Sequence, residues 1–438
     1  MSIEQLYELY LKSSGVTTDT RSIQPRNIFF ALRGEKFNGN HFAEAAIQAG
    51  ALCAVVDELT EPEWAQKYPG SIIQVHNVLY TLQQLAKHHR SQFRFPVIAI
   101  TGSNGKTTTK ELIAAVLAKK FRTAYTRGNL NNHIGIPLTL LSIDASLTEI
   151  AVIEMGANHQ GEIASYCEYV QPDYGLITNV GMAHVEGFGG FAGVVKGKTE
   201  LYRHIADHSG KLFLNADDDV LIERARYLLG SGFEERVILY GTSPDVYCSG
   251  KLLPGGEFLK LEALHTTFHT NLIGDYNFTN VLSAICIGKY FHVPVDSIRE
   301  AIAQYVPTNN RSQKMSWGTN TVILDAYNAN PTSMQAALKN FLHLPGDYEN
   351  RVVILGEMME LGDYSAEEHK RIFDLVEPMP VQYKVFVGEQ FAFTAHHSGV
   401  LWFPHTAGAR EWLHSTELHH SLILVKGSRA NGLEKLFT

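Results

Sequence analysis

At 438 residues, 45% hydrophobic and 19% charged, the chain is too long for one ordinary core and has the composition of a globular protein of two or three domains. A formal charge of −8 argues against a general nucleic-acid binder, which would carry a basic face, whereas a small polyanion needs only a local cluster of cations. No run approaches the roughly 18 apolar residues of a membrane span, Met1–Lys12 with its acids Glu4 and Glu8 is no secretory leader, and Cys53, Cys167, Cys248 and Cys286 form no CxxC pair, so a reduced cytoplasm is expected rather than disulfides or structural zinc.

Residues 1–93 alternate short apolar runs (Asn27–Leu32, Ala51–Val56, Ser71–Val75) with helical stretches such as Val78–His89, the pattern of a small α/β unit. The second block, 94–311, opens on the apolar run Pro96–Ile100, read as a buried strand. After a glycine-containing turn, Lys110–Lys120 is apolar at Leu112, Ile113, Val116 and Leu117, which is helical spacing. Further strands are expected at Ile150–Ile153, Gly175–Thr178, Lys211–Leu214 and Val237–Tyr240, with helices between most of them, and so a largely parallel sheet. Val246–Asn271 alternates more and predicts an antiparallel patch before a helix at Phe278–Tyr290. Pro307–Arg311 is polar enough for a linker. In the third block, 312–438, strands are expected at Thr321–Leu324, Val352–Leu355, Lys384–Val387 and Leu422–Val425, and helices at Ser333–Leu342 and Ala366–Val376. That rhythm describes a smaller Rossmann-like domain, and the absence of a G-x-G-x-x-G after any of its strands gives nicotinamide binding no support.

The strongest chemical motif is Gly102-Ser103-Asn104-Gly105-Lys106-Thr107, one residue shorter between its glycines than the common Walker A spacing. Its context compensates, because a strand precedes it and a helix follows, so main-chain N–H groups and the helix N-terminus converge where phosphates would lie. There Lys106 would reach the β- and γ-phosphates and the Thr107 hydroxyl would ligate magnesium. Glu154 ends the strand expected at Ile150–Ile153, where a second magnesium ligand is wanted. Gly175–His184 is another strand running into a loop that presents a histidine, which spacing alone does not promote to a ligand. The pairs His88-His89, His396-His397 and His419-His420 are read as solvated surface, since neighbours in sequence point apart. No Ser/His/Asp or Cys/His constellation suggests a covalent nucleophile.

Val97–Lys110, Glu154-Met155-Gly156 and Thr178–His184 resemble the Mur ligase family, ATP-dependent enzymes that build the peptidoglycan stem peptide, and the likeness covers essentially the whole chain. Asn129–Pro137, Glu154–Ile163, Tyr327–Pro331, Leu355–Gly362 and Val425–Arg429 resemble the branch that joins D-alanyl-D-alanine to UDP-N-acetylmuramoyl-tripeptide through an acyl phosphate; the Asn-Pro-Arg signature of the branch adding the third residue is missing. The resemblance implies three α/β domains: 1–93 for the uridine nucleotide, 94–311 for ATP with a P-loop and a mostly parallel sheet, and 312–438 for the dipeptide. It places Thr20, Arg21 and Arg33 in the uridine-nucleotide domain, with both arginines as partners for the diphosphate, and adds Asn129, Asn131, Asn132, Tyr327, Asn328 and Asn330 as substrate-binding residues. ATP would contact Gly102–Thr108 (Gly102, Ser103, Asn104, Gly105, Lys106, Thr107, Thr108), Asn277, Asn280, Arg311 and Asp325. Two magnesium ions are implied, one on Thr107 and Glu154, the other on His184 and on a lysine 14 positions later. That lysine is Lys198, converted to a carbamate, with Lys196 close enough for the assignment to slip. Lys106, Glu154, His184 and Lys198 make up the catalytic set. The chain departs from the family pattern at Tyr276, where histidine is common, and at Leu324, where many relatives have an acid. A cytoplasmic monomer is expected, with the third domain rotating on hinges near residue 94 and Arg311. A P-loop motor or switch is the competing class; it would hydrolyse ATP without an amine acceptor.

Overall fold

The computed structural model describes residues 1–61, 63–307 and 311–437, so Thr308–Asn310 of the expected linker lie outside the described residues. Three main sheets follow one another along the chain. In the first, Val16–Thr17, Ile28–Phe30, Cys53–Val56 and Ile72–Gln74 lie side by side and all parallel. Its two inner strands are buried throughout because each face has a cover. Ile28, Phe30, Cys53 and Val55 pack with Leu82 and Leu85 of the helix Val78–Arg90, and the alternate residues Phe29, Ala54 and Val56 pack with Ala43 and Ala46. The period-two pattern thus splits one apolar run between two cores.

Helix Val78–Arg90 starts where the Asn77 side chain accepts from Tyr80 N at 2.7 Å. At its other end Arg90 reaches into the second unit, donating from Nε to Val170 O at 2.8 Å and from Nη2 to Gln171 O at 2.6 Å and Asp173 Oδ2 at 3.1 Å. Its side chain is only 9% exposed, so truncation strands these acceptors. Arg90→Ala should cost about 2–3 kcal/mol of stability, read as a lower urea midpoint; an unchanged midpoint would mean that the clamp contributes nothing.

The central sheet has nine strands in the order Thr266–His269, Lys260–Ala263, Cys248–Leu253, Val237–Gly241, Lys211–Asn215, Tyr174–Ile177, Val97–Thr101, Ile150–Glu154, Thr123–Tyr125. All pairings are parallel except the two among the first three strands, the antiparallel patch expected from the alternation in Val246–Asn271. Val97–Thr101 and Ile150–Glu154 are central and buried on both faces, and their carboxyl ends carry the glycine loop and Glu154. Two expectations need correcting. His89, read with His88 as solvated surface, is buried, its ring within hydrogen-bond distance of Tyr7 OH and Ile143 O; the other concerns the helix of the phosphate loop. The helix after the loop runs Lys106–Leu117 rather than Lys110–Lys120. Thr107, Thr108 and Thr109 break the apolar rhythm, yet Gly105 (φ 77°) closes the loop and their backbone is already helical, with Thr109 N bonded to Gly105 O.

The third sheet is ordered Gln313–Trp317, Asn320–Asp325, Leu422–Lys426, Arg351–Gly356, Tyr383–Val387, Leu401–Phe403, parallel except for its first hairpin. Strand Leu422–Lys426, last in sequence, inserts beside Asn320–Asp325 and puts Lys426 opposite Asp325. Helix Pro331–His343 begins at a capping box in which Asn330 and Ser333 exchange hydrogen bonds, with proline in its first turn. No helix among the described residues is long and apolar enough to cross a membrane.

Candidate active site

The carboxyl ends of the central and third sheets face one cavity of about 540 Å³, the position where open α/β sheets bind ligands. Its floor is the loop between Thr101 and Lys106. Gly102 (φ 142°) and Gly105 (φ 77°) are left-handed, and a Cβ would fall 2.0 Å from Thr178 Oγ1 in the first case and 2.6 Å from Asn280 Oδ1 in the second. Only glycine fits either place. Neighbouring chain stitches the loop down: Ser103 N donates to Asn179 O at 3.0 Å, Asn104 N to Asn179 Oδ1 at 3.0 Å, and Thr178 Oγ1 to Asn104 O at 2.6 Å. The first-turn amides of Lys106–Leu117 have no partners within the helix and open toward the cavity with its positive dipole end.

Lys106 folds over the loop, donating from Nζ to Gly102 O at 2.7 Å and Ser103 O at 3.2 Å. Its side chain is half-buried and lines the cavity. Desolvation pulls its pKa down to about 8, Glu154 opposes the shift and Arg311 adds to it. A triphosphate beside it favours the charged form, so its pKa must rise on binding. Nucleotide binding near pH 9 should therefore take up close to about one proton, measurable by calorimetry in buffers of different ionisation enthalpy. Binding without proton uptake there would contradict this placement of the ammonium.

Glu154 is fully buried. Its Oε1 accepts from Thr107 Oγ1 at 3.1 Å and Asn131 Nδ2 at 2.8 Å; Oε2 has no hydrogen-bond partner and faces the Lys110 ammonium 3.5 Å away. Thr107 and Lys110 lie one helical turn apart, so one face of the helix brings both to the carboxylate. A hydroxyl beside a carboxylate whose Oε2 accepts no hydrogen bond, at a phosphate-binding loop, fits magnesium. Magnesium commonly uses one or two protein oxygens together with substrate phosphates.

His184 lines the cavity in left-handed backbone (φ 56°), and its Nδ1 lies against the Glu360 carboxylate of the third unit. Contact with His184 holds the Glu360 carboxyl below its ordinary range against the opposing effect of burial. Lys198 does not line the cavity. It is fully buried one layer behind, its Nζ donating to the carbonyl of Ala157, which does line it, at 3.0 Å. Desolvation and the Lys106 charge pull Lys198 well below the ordinary lysine range, against Glu162 and Glu200. Lys196 is exposed.

On the far wall, Asn280 Nδ2 donates to Asn277 Oδ1 at 2.9 Å, and Tyr276 OH meets Ser312 Oγ at 2.7 Å. Arg311 stacks on Tyr327, its Cζ 3.7 Å from the ring centroid, and its buried Nε has no hydrogen-bond partner. Asp325 pairs with buried Lys426 and accepts from Ser312 N. Across the cavity, Asn330 Nδ2 donates to Asn104 Oδ1 at 2.7 Å, so the third unit sits directly on the phosphate loop.

Comparison with known proteins agrees with this geometry in order along the chain. Residues 12–90 match the Mur ligase family catalytic domain, 100–288 the Mur ligase middle domain, and 310–429 the Mur ligase glutamate ligase domain. The UDP-N-acetylmuramoyl-tripeptide–D-alanyl-D-alanine ligase of Bacillus subtilis (strain 168) is 33% identical over 437 residues, covering 96% of this chain and 92% of that protein. The chain belongs to the Mur ligase family. The ligase of the same name from Escherichia coli (strain K12) is 33% identical with the same coverage. A crystal structure of MurF from Acinetobacter baumannii superposes with a TM-score of 0.84 at 30% identity, covering 99% of this chain and 97% of that one. MurF from Thermotoga maritima in complex with ADP shares the fold at 23% identity and a TM-score of 0.83, over 98% of this chain and 97% of that chain.

In this Mur ligase the cavity gathers Ser103–Thr108, Asn131, Asn132, Glu154, His184, Asn277, Asn280, Arg311, Asp325, Tyr327 and Asn328. Gly102 lies under the loop, Asn330 reaches it through Asn104, and Asn129 is exposed outside. Thr20, Arg21 and Arg33 are elsewhere, in the first unit. Arg21 is 88% exposed and paired with Asp19, and Arg33 binds Asp57 at 3.0 Å and Glu58 at 2.9 Å. Sequence reasoning passed over Lys110, Asn179, Lys426 and Glu360 as site residues. Lys426 had a usable signal, a cation ending an apolar strand, as Glu154 is an acid ending one.

Proposed function

We propose that this Mur ligase joins D-alanyl-D-alanine to UDP-N-acetylmuramoyl-tripeptide in peptidoglycan precursor synthesis, using ATP and releasing ADP and phosphate. The observation that carries the reading is a single cavity walled by the phosphate loop on one side and by Tyr327, Asn328 and the Asn330 cap on the other. Both reactants of an amide ligation can meet there, which a motor or switch would not require. The curated relatives that bear this activity match nearly end to end.

In the proposed reaction the terminal carboxylate of the tripeptide bonds to the γ-phosphorus as the bridge to ADP breaks. The deprotonated amine of D-alanyl-D-alanine then bonds to the resulting acyl carbon, and phosphate leaves. Anions must approach one another in the first step, so charge neutralisation and alignment lower the barrier most. Gly102–Thr108 cradle the phosphates with main-chain amides, and Lys106 supplies an ammonium held over the loop by the carbonyls of Gly102 and Ser103. Arg311, held flat on Tyr327, offers its unpartnered Nε. Asn277 and Asn280 form the adenine side. Lys110 and Asn131 hold the Glu154 carboxylate beside the Thr107 hydroxyl as one cation site. His184 and Lys198, the latter as its carbamate, form the second. Magnesium bound at these residues would neutralise phosphate charge and polarise the acyl oxygen. Burial lowers the pKa of Lys198 toward the neutral amine that reacts with CO₂, and the exposed Lys196 has no such environment. Asn129, Asn131 and Asn132 receive the precursor, whose uridine end lies toward Thr20, Arg21 and Arg33 in residues 1–93. Tyr327, Asn328 and Asn330 receive the dipeptide in residues 312–438. The enzyme acts as a cytoplasmic monomer.

Phosphate release tests the reading. With ATP, magnesium and the UDP-linked tripeptide, D-alanyl-D-alanine should start rapid release, and no single amino acid should replace it. Release with single amino acids alone, or without any acceptor, would overturn it.

A further inference from the structure

Besides Tyr276–Ser312 and the ion pair Lys314–Glu257 near the junction of the two units, the third unit meets the central one along two strips at the cleft. In one, Asn330 meets Asn104, and Met182 N donates to Thr332 Oγ1 at 3.4 Å. The other is the turn Met358–Gly362 seated on the turn His184–Gly190, and the cavity does not explain it. Met358 and Leu361 are buried, and Met358 N is tied to His369 Nε2 of the third unit at 2.9 Å. The segment is therefore anchored on both sides of Glu360, whose half-exposed side chain projects from it. Glu360 (φ 61°) and His184 (φ 56°) are both left-handed although each carries a side chain, a conformation that persists only where the surroundings enforce it. These two strained residues meet each other. The Glu360 carboxylate is in ion-pair contact with buried His184 Nδ1 but out of line for a hydrogen bond, Glu360 O is 3.5 Å from Glu186 N, and the Glu186 side chain packs so closely on Gly362 that a Cβ there would come within 3.0 Å of it; a small rotation of the imidazole would bring Nδ1–H onto the carboxylate.

We propose that Glu360 is a positioning residue for the ligation, taking His184 Nδ1 when the third domain closes and leaving Nε2 as the nitrogen that serves the cleft. An imidazole whose Nδ1–H donates to a carboxylate is fixed in tautomer and ring orientation, with its remaining lone pair on Nε2. Closure of the third domain thereby completes a ligand belonging to the central domain. The inference rests on the reading of His184 as a cation ligand.

Glu360→Ala, Glu360→Gln and His184→Ala would be compared for kcat, KM for the dipeptide, calorimetric affinity for a non-hydrolysable ATP analogue, and manganese binding by electron paramagnetic resonance in its presence. Thermal melts verify folding, which loss of a half-exposed side chain should not disturb. Glu360→Ala should weaken the second manganese site and lower kcat by about 10–100-fold, with nucleotide affinity within about twofold. Glu360→Gln, whose amide oxygen still accepts from Nδ1–H, should recover most of both. Unchanged kcat and manganese binding in Glu360→Ala would overturn the proposal. So would a raised KM with manganese binding intact, which would make the contact a docking point only. If His184→Ala loses the second site while Glu360→Ala keeps it, only this inference fails. If His184→Ala keeps both sites, the cation-ligand reading fails first and takes the inference with it.

Discussion

Lys106→Met should lower turnover by at least about 10²–10³-fold without unfolding the protein. Lys106 is the ammonium that folds over the phosphate loop, and the carbonyls of Gly102 and Ser103 that hold it belong to that loop. Methionine keeps most of the length and buried volume of the stem and removes only the charge and its three donors. The loop itself is held by Asn179, Thr178 and the two left-handed glycines, none of which needs Lys106. The melting profile should therefore stay near that of the wild type while phosphate release collapses. Retained turnover would show that the main-chain amides and Arg311 suffice, and the role given to Lys106 would be wrong.

Lys198→Gln should be comparably damaging, for a different reason. A charged lysine fully buried behind Ala157 would place its ammonium where a cation site is proposed, repelling the ion. Burial and the Lys106 charge instead lower the pKa of this amine well below that of an ordinary lysine, which favours the neutral form that can add to CO₂, lose a proton and become an anionic oxygen donor. Protein prepared with ¹³C-labelled bicarbonate should show a carbamate carbon resonance that Lys198→Gln lacks, and turnover should fall when CO₂ is stripped from the buffer. Full activity in CO₂-free buffer with no such resonance would leave Lys198 a structural residue.

What the sequence made readable was local. A strand, a two-glycine loop and a helix announce a phosphate cradle because its parts are contiguous, and Glu154 announces itself by ending an apolar strand. The helix start at Lys106 was misplaced because three threonines look unlike a buried first turn, although tertiary contacts bury them. His184 had no local signal; its place came through resemblance, and its partner Glu360 comes from a distant segment. Asp325–Lys426 and Asn104–Asn330 likewise join residues that no periodicity relates, since they depend on strand insertion and on the seating of one unit upon another. Arg21 and Arg33 show the converse. A surface arginine reads the same whether free or paired, and here each carries acids of the first unit in exposed ion pairs that a diphosphate could displace.

Calorimetric titration of the protein with a non-hydrolysable ATP analogue, with and without magnesium, bears most directly on the whole scheme. One site per chain, tight with magnesium and much weaker without it, is the expected result. No heat of binding at millimolar analogue with magnesium in excess would mean that the cavity over Gly102–Thr107 is not a triphosphate site.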